Sequence, residues 1–144
     1  MDLNNNQEQN KTDRLTDTGG RRLTFREAIT AAEDQIALYE YSRSHTLRGI
    51  LHDLCRVMAE IYMMHPAAAV KVAGEELEAG LVAEVYREVT PEMAETLAAE
   101  LQGQLAGVAR MKAYLRSALY IKVFEFEACE VRLDEQIKKQ MGQV

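Results

Sequence analysis

The chain has 144 residues, of which 47% are apolar and 28% are charged, so it can form one domain with a core of its own. Its net charge of −6 argues against wholesale binding to nucleic acid or to an anionic membrane, and no apolar run approaches the roughly 18 residues of a membrane-spanning helix. Two cysteines are too few for the disulfide framework of a small extracellular protein, so we expect a cytoplasmic location.

The N-terminal segment is polar, and after the first methionine only Leu3 and Leu15 could pack against a core. Asn, Gln, Asp and Thr dominate its composition. Burial of so few apolar groups cannot offset the entropy lost on ordering. We therefore predict a flexible tail over residues 1–22, followed by a helical bundle domain over residues 23–144.

Two amphipathic helices are predicted first. Thr24 and Glu27 have the spacing of a capping box, and apolar residues recur at helical intervals up to Tyr39. This helix is expected to end near residues 42–44. The second helix carries a continuous apolar stripe over residues 47–64. It ends before Pro66, because a proline disfavours the helical conformation of the residue that precedes it.

A third helix is predicted from Pro66 to Val89, with apolar residues along one side. Gly74 and Gly80 each weaken it by up to about 1 kcal/mol relative to alanine, so a break near Gly74 is the alternative.

Thr90 and Pro91 indicate the start of another helix, with a capping hydroxyl and a proline in the first helical position. From Pro91 to about Lys139 the pattern fits either one long helix or two helices broken near residues 103–107. Residues 119–133 are apolar on several sides, as expected at the centre of a bundle or in an oligomer interface. The predicted fold is therefore all-α, a four- or five-helix bundle.

The residues that most often carry chemistry are sparse. His45, His52 and His65 have neither the Glu-x-x-His nor the His-Glu-x-x-His spacing of metal sites, so we predict no metal, no cofactor and no catalytic residue. An enzyme site between helices, with His52 and nearby acids as acid–base groups, is the third of three functional hypotheses.

Charge is segregated along the chain. Residues 66–100 hold two basic and eight acidic side chains, whereas residues 101–124 hold four basic side chains and no acid. The second hypothesis is that these four residues bind nucleic acid; the alternative is that they fold against the acidic segment. The four are Arg110, Lys112, Arg116 and Lys122.

The first hypothesis is a non-enzymatic protein-interaction module: an adaptor, an inhibitor or a small subunit that binds another protein, itself as a homodimer, or both. Ala99, Gly103 and Gly107 would form a row of small residues on one helix, where a second helix could approach closely. Tyr62 and Met63 extend around the second helix beyond its main stripe, so a partner could cover them. No membrane contact is predicted.

Overall fold

The structure is a computed structural model that describes residues 23–142, with the side chains of residues 23–129. The described part is mostly helical. The predicted flexible tail over residues 1–22 lies outside it. The elements, in chain order, are α1 (Phe25–Gln35), a 3₁₀ turn (Leu38–Glu40), α2 (Arg48–Tyr62), β1 (Ala69–Val72), β2 (Glu75–Glu78), α3 (Ala79–Tyr86), α4 (Pro91–Leu101) and α5 (Met111–Gly142).

The start of α1 is confirmed. The Thr24 hydroxyl accepts a hydrogen bond from the Glu27 amide at 3.2 Å, and the Glu27 carboxylate accepts one from the Thr24 amide at 2.9 Å. The predicted end near residues 42–44 is wrong, because Ala37 has a φ of 57° and interrupts the helix after Gln35.

Helix α2 forms the centre of the described part. It packs against α1, α3, α4 and α5, and it ends at Tyr62, before Pro66 as predicted. Seven of its side chains are buried: Leu51, Leu54, Cys55, Val57, Met58, Ala59 and Ile61.

The prediction of a helix from Pro66 is wrong for its first half. Residues 69–78 form an antiparallel hairpin, in which Val70 pairs with Leu77. Val70 and Val72 are buried while Lys71 between them is exposed, which is the alternation of a strand. This hairpin is the departure from an all-α fold, and only α3 remains of the predicted third helix.

Of the two alternatives left open for the chain after Thr90, the structure has the two separate helices. The Thr90 hydroxyl caps α4 by accepting a hydrogen bond from the Met93 amide at 3.1 Å, and Pro91 occupies the first helical position. Helix α4 then ends at Leu101, and a connection over residues 102–110 leads to α5.

One apolar core joins these elements. It takes side chains from all five described helices and from β1. Tyr86 is the largest fully buried side chain, and its hydroxyl donates to the Arg116 carbonyl at 2.8 Å. This bond ties α3 to α5 and fixes the face of α5 that turns towards the core.

Candidate functional site

Helix α5 is apolar on two opposite sides. Its inner side carries Leu115, Leu119 and Val123, each at most 1% exposed. Its other side carries Tyr114, Ile121 and Phe124, which are 41%, 45% and 47% exposed. At 3.6 residues per turn, the second set points away from the first. We name Tyr114, Ile121 and Phe124 the outer face of α5.

The outer face gathers most of the large apolar surface that the described residues leave in water. Five large apolar side chains are exposed in that part of the chain, and three of them form this face. The other two, Tyr39 and Leu81, lie on different elements. A single exposed apolar residue is ordinary, whereas three on one side of one helix indicate a contact surface.

Charged groups stand at both ends of the outer face. Arg110 lies at the start of α5, where its carbonyl accepts a hydrogen bond from the Tyr114 amide at 3.0 Å. Glu125 lies at the other end, and both side chains are exposed; the exposed Glu127 points to a different side of the helix, because residues two apart do not share a face. The surface is therefore basic at its N-terminal end, apolar in the middle and acidic at its C-terminal end.

Tyr62 is engaged inside the protein. Its hydroxyl donates to Gln35 Oε1 at 2.7 Å, and Gln35 Nε2 donates to the carbonyls of Tyr86 and Val89 at 2.8 and 2.9 Å. Burial raises the pKa of Tyr62 to about 12, despite the opposing effect of the nearby Arg87 guanidinium. Tyr62 thus joins α1 and α2 to the end of α3.

Two cavities, of about 230 and 150 Å³, flank Tyr62 and Arg87. The larger lies between the end of α2 and α3, and the smaller lies against α1. Met63 is half-buried and lines neither cavity. The earlier hypothesis that a partner covers Tyr62 and Met63 stays a prediction.

The small residues proposed as a helix-crossing row do not form one. Ala99 lies on α4, whereas Gly103 and Gly107 lie in the connection after it, with φ of 81° and 86°. Glycine is preferred there because a side chain disfavours this left-handed conformation. A Cβ added at either glycine would meet nothing within 4 Å, so neither position brings two backbones together.

Two of the four basic residues proposed for nucleic-acid binding are held by carboxylates. Lys122 is buried, and its Nζ lies 2.7 Å from Glu100 and 2.8 Å from Glu125. The Lys112 ammonium is exposed and lies 2.7 Å from Glu60.

The other two basic residues lie apart. Arg116 donates to the Lys71 carbonyl at 3.4 Å, and Arg110 stands at the end of the outer face. The described structure therefore does not gather the four side chains into one patch. For Lys122 it favours the alternative, in which the basic segment packs against the acidic one.

His52 lies at an open surface. Its Nε2 is 3.8 Å from Glu33, and the imidazole is 43% exposed. The shallow depression beside it is lined by Arg43, Arg48 and Gly49. Among the described residues no second carboxylate pairs with His52, so this part of the chain does not supply the convergent acids that the third hypothesis requires.

Among the described residues, no three His, Cys, Asp or Glu side chains are grouped so as to hold a metal ion. None of the described helices combines the length and the apolar character needed to cross a bilayer. The comparisons with known proteins were also negative: no protein family, curated protein or solved structure matches the chain.

The outer face was not predicted residue by residue. Residues 119–133 were predicted to be apolar on several sides, without a division into an inner and an outer side. The spacing Tyr114, Ile121 and Phe124, at intervals of seven and three, is the signal that marks one side of a helix.

Proposed function

We propose that the chain is a non-enzymatic protein-interaction module and that the outer face of α5 is its docking surface. The observation that carries this proposal is the placement of Tyr114, Ile121 and Phe124, nearly half exposed, opposite the buried side of the same helix. Covering the exposed part of each side chain stabilises a complex by about 1 kcal/mol. In the isolated chain, this exposed apolar area contributes nothing to the core.

In this proposal, the rest of the chain is the scaffold that positions the docking surface. The five described helices would form a bundle that holds α5 in place through Leu115, Leu119 and Val123. An adaptor, an inhibitor or a small subunit of an assembly would each use such a surface. A cytoplasmic location belongs to the same proposal and is supported by two free cysteines, one of them buried.

Photo-crosslinking in the cells that naturally produce the chain tests the proposal. A photoreactive phenylalanine analogue at position 124 replaces one exposed aromatic residue, and the same analogue at Tyr39 is the matched control. We expect a discrete adduct from position 124 and none from position 39, although Tyr39 is the more exposed, at 73%. Adducts at neither position, or equal labelling at both, would show that the outer face is not a docking surface.

A further inference from the structure

We propose that the depression at the start of α2 binds a phosphate monoester. This site lies on different elements from the outer face of α5, so it goes beyond the proposed function and does not rest on it. Three features carry the proposal: the basic side chains that line the depression, the open backbone amides of the first helical turn, and the lack of acidic residues in this part of the sequence.

The lining of the depression is basic. It has a volume of about 330 Å³ and is lined by Arg43, Arg48, Gly49 and His52. Guanidinium groups are always charged and bind phosphate oxygens through two N–H groups at once. No acidic side chain is among the described residues that line the depression, and the nearby Glu33 carboxylate lies 3.8 Å from His52 Nε2. The depression therefore presents hydrogen-bond donors and positive charge to an anion.

The turn that precedes α2 is ordered by its own contacts. The Arg48 guanidinium donates to the Tyr41 carbonyl, and the Leu47 amide donates to His45 Nδ1 at 3.1 Å. The His45 and Tyr41 rings also pack edge to face, with centroids 4.9 Å apart. Arg48 is half-buried as a result and is already held in place before a ligand arrives. Such pre-organisation lowers the entropy cost of binding.

Helix α2 adds backbone donors at the same place. Its N-cap residue, Leu47, makes no capping hydrogen bond through its side chain, and its first turn contains no acid. The amides of Gly49 and Ile50 donate to no acceptor among the described residues. Free amides at a helix N-terminus attract anions, and the helix dipole acts in the same direction. The backbone at Gly49 is open, since a Cβ there would meet nothing within 4 Å.

The amount of positive charge indicates which anion binds. The chain has a net charge of −6, yet residues 41–52 contain two arginines, two histidines and no acid. A phosphate monoester carries about −1.5 to −2 charges near neutral pH and three acceptor oxygens, so it can use several donors at once. A carboxylate has one charge and two oxygens, which a single arginine can satisfy. A nucleic acid would need a longer basic track, whereas Lys112 and Lys122 on α5 are paired with carboxylates.

Nuclear magnetic resonance of the isotope-labelled full-length chain tests the site. Inorganic phosphate is added at constant ionic strength and pH, and acetate is the matched control anion. We expect saturable shifts of the Gly49 and Ile50 amide resonances, with a dissociation constant of about a millimolar for a single ion at an open site. Acetate should bind at least about tenfold more weakly, because it carries less charge and fewer oxygens.

Two substitutions of Gly49 separate charge from shape. Gly49→Asp places an acid in the first turn of α2, where it stabilises the helix but repels an anion. It should weaken phosphate binding at least about tenfold, whereas Gly49→Asn, of nearly the same size, should remain within about threefold of the native chain. Glycine disfavours a helix interior, so thermal unfolding should show neither variant to be less stable than the native chain.

A second pair of variants tests the arginines. Arg43→Gln removes one exposed guanidinium and should weaken phosphate binding about fivefold. Lys71→Gln removes the same charge from an exposed position on β1 and should leave the affinity unchanged.

Four outcomes overturn the proposal. They are the lack of a saturable shift at Gly49 and Ile50, acetate binding as tight as phosphate binding, equal affinities of the two Gly49 variants, and an Arg43→Gln chain that binds phosphate like the native chain.

A peptide with one phosphoserine among uncharged residues, compared with its unphosphorylated form, identifies the source of the monoester. Binding about tenfold tighter than that of inorganic phosphate assigns the site to a phosphorylated protein segment. An affinity equal to that of inorganic phosphate assigns it to small phosphate compounds. A peptide that binds at Gly49 equally well without its phosphoryl group contradicts the proposal.

Discussion

Lys122 is the one charged residue that is buried among the described side chains. Burial lowers the pKa of its ammonium, but the hydrogen bonds to Glu100 and Glu125 outweigh that effect and raise the pKa above 10.5. From the sequence, this lysine could either bind nucleic-acid phosphates or pair with the acidic segment of the chain. The structure shows internal pairing, in which two exposed carboxylates make the burial of the charge tolerable.

Removal of both carboxylates should therefore destabilise the fold. We expect Glu100→Gln with Glu125→Gln to lower the free energy of unfolding by about 1 to 3 kcal/mol, because Lys122 loses its charged acceptors. Glu127→Gln, on the same helix, is the matched control and should change it by less than about 0.5 kcal/mol. Urea unfolding at neutral pH measures all three chains.

The pH dependence of the free energy of unfolding tests whether the Lys122 charge is the cause of this loss of stability. A group whose pKa is raised by folding stabilises the fold below its unfolded pKa, here 10.5, and loses that contribution as the pH rises through the folded value. The difference between the native chain and the double variant should thus be constant between about pH 6 and pH 10, where both carboxylates and the ammonium are charged, and shrink above that range. A difference that grows in alkali would contradict the assignment.

At the scale of elements, helix starts were predictable and the hairpin was not. The caps at Thr24 and Thr90 are local signals, because the capping hydroxyl and the amide that donates to it lie three residues apart. The hairpin depends on pairing between two four-residue strands, and Val70, Leu77 and Leu81 also fit helical spacing. Periodicity alone cannot separate the two for so short a segment.

The prediction of a row of small residues was wrong for a related reason. Ala99, Gly103 and Gly107 have helical spacing, but Gly103 and Gly107 adopt the left-handed conformation that ends helices. Glycine is compatible with both roles, so the sequence pattern did not decide between close packing and chain reversal.

The turn of the hairpin gives a test at this scale. Ala73 and Gly74 both have positive φ, at 54° and 83°, which the two-residue turns of hairpins require and which alanine tolerates poorly. Ala73→Asn should raise the free energy of unfolding by about 0.5 to 1 kcal/mol, whereas Gly74→Ala should lower it by about 1 kcal/mol. Thermal unfolding of the two variants distinguishes this turn from a helical segment, in which Gly74→Ala would stabilise.

At the scale of the whole molecule, the helical class followed from composition and periodicity, but the candidate site did not. The apolar residues of α5 were visible in the sequence as a group. Their division into a buried and an exposed side depends on the elements that pack against α5, which are α2, α3, α4 and β1. A docking surface is the part of an element that the rest of the fold leaves uncovered. It can therefore be identified only when the neighbouring elements are in place.

Hydroxyl-radical footprinting tests most directly whether the outer face is covered when the protein functions. Oxidation is compared between the purified chain at high dilution and the chain in the cells that produce it, with Tyr39 and Leu81 as references within the same molecule. The account predicts that Tyr114, Ile121 and Phe124 react in the dilute chain in line with their exposure and become protected in cells, while Tyr39 and Leu81 react alike in both. Equal oxidation of the outer face under the two conditions would contradict it.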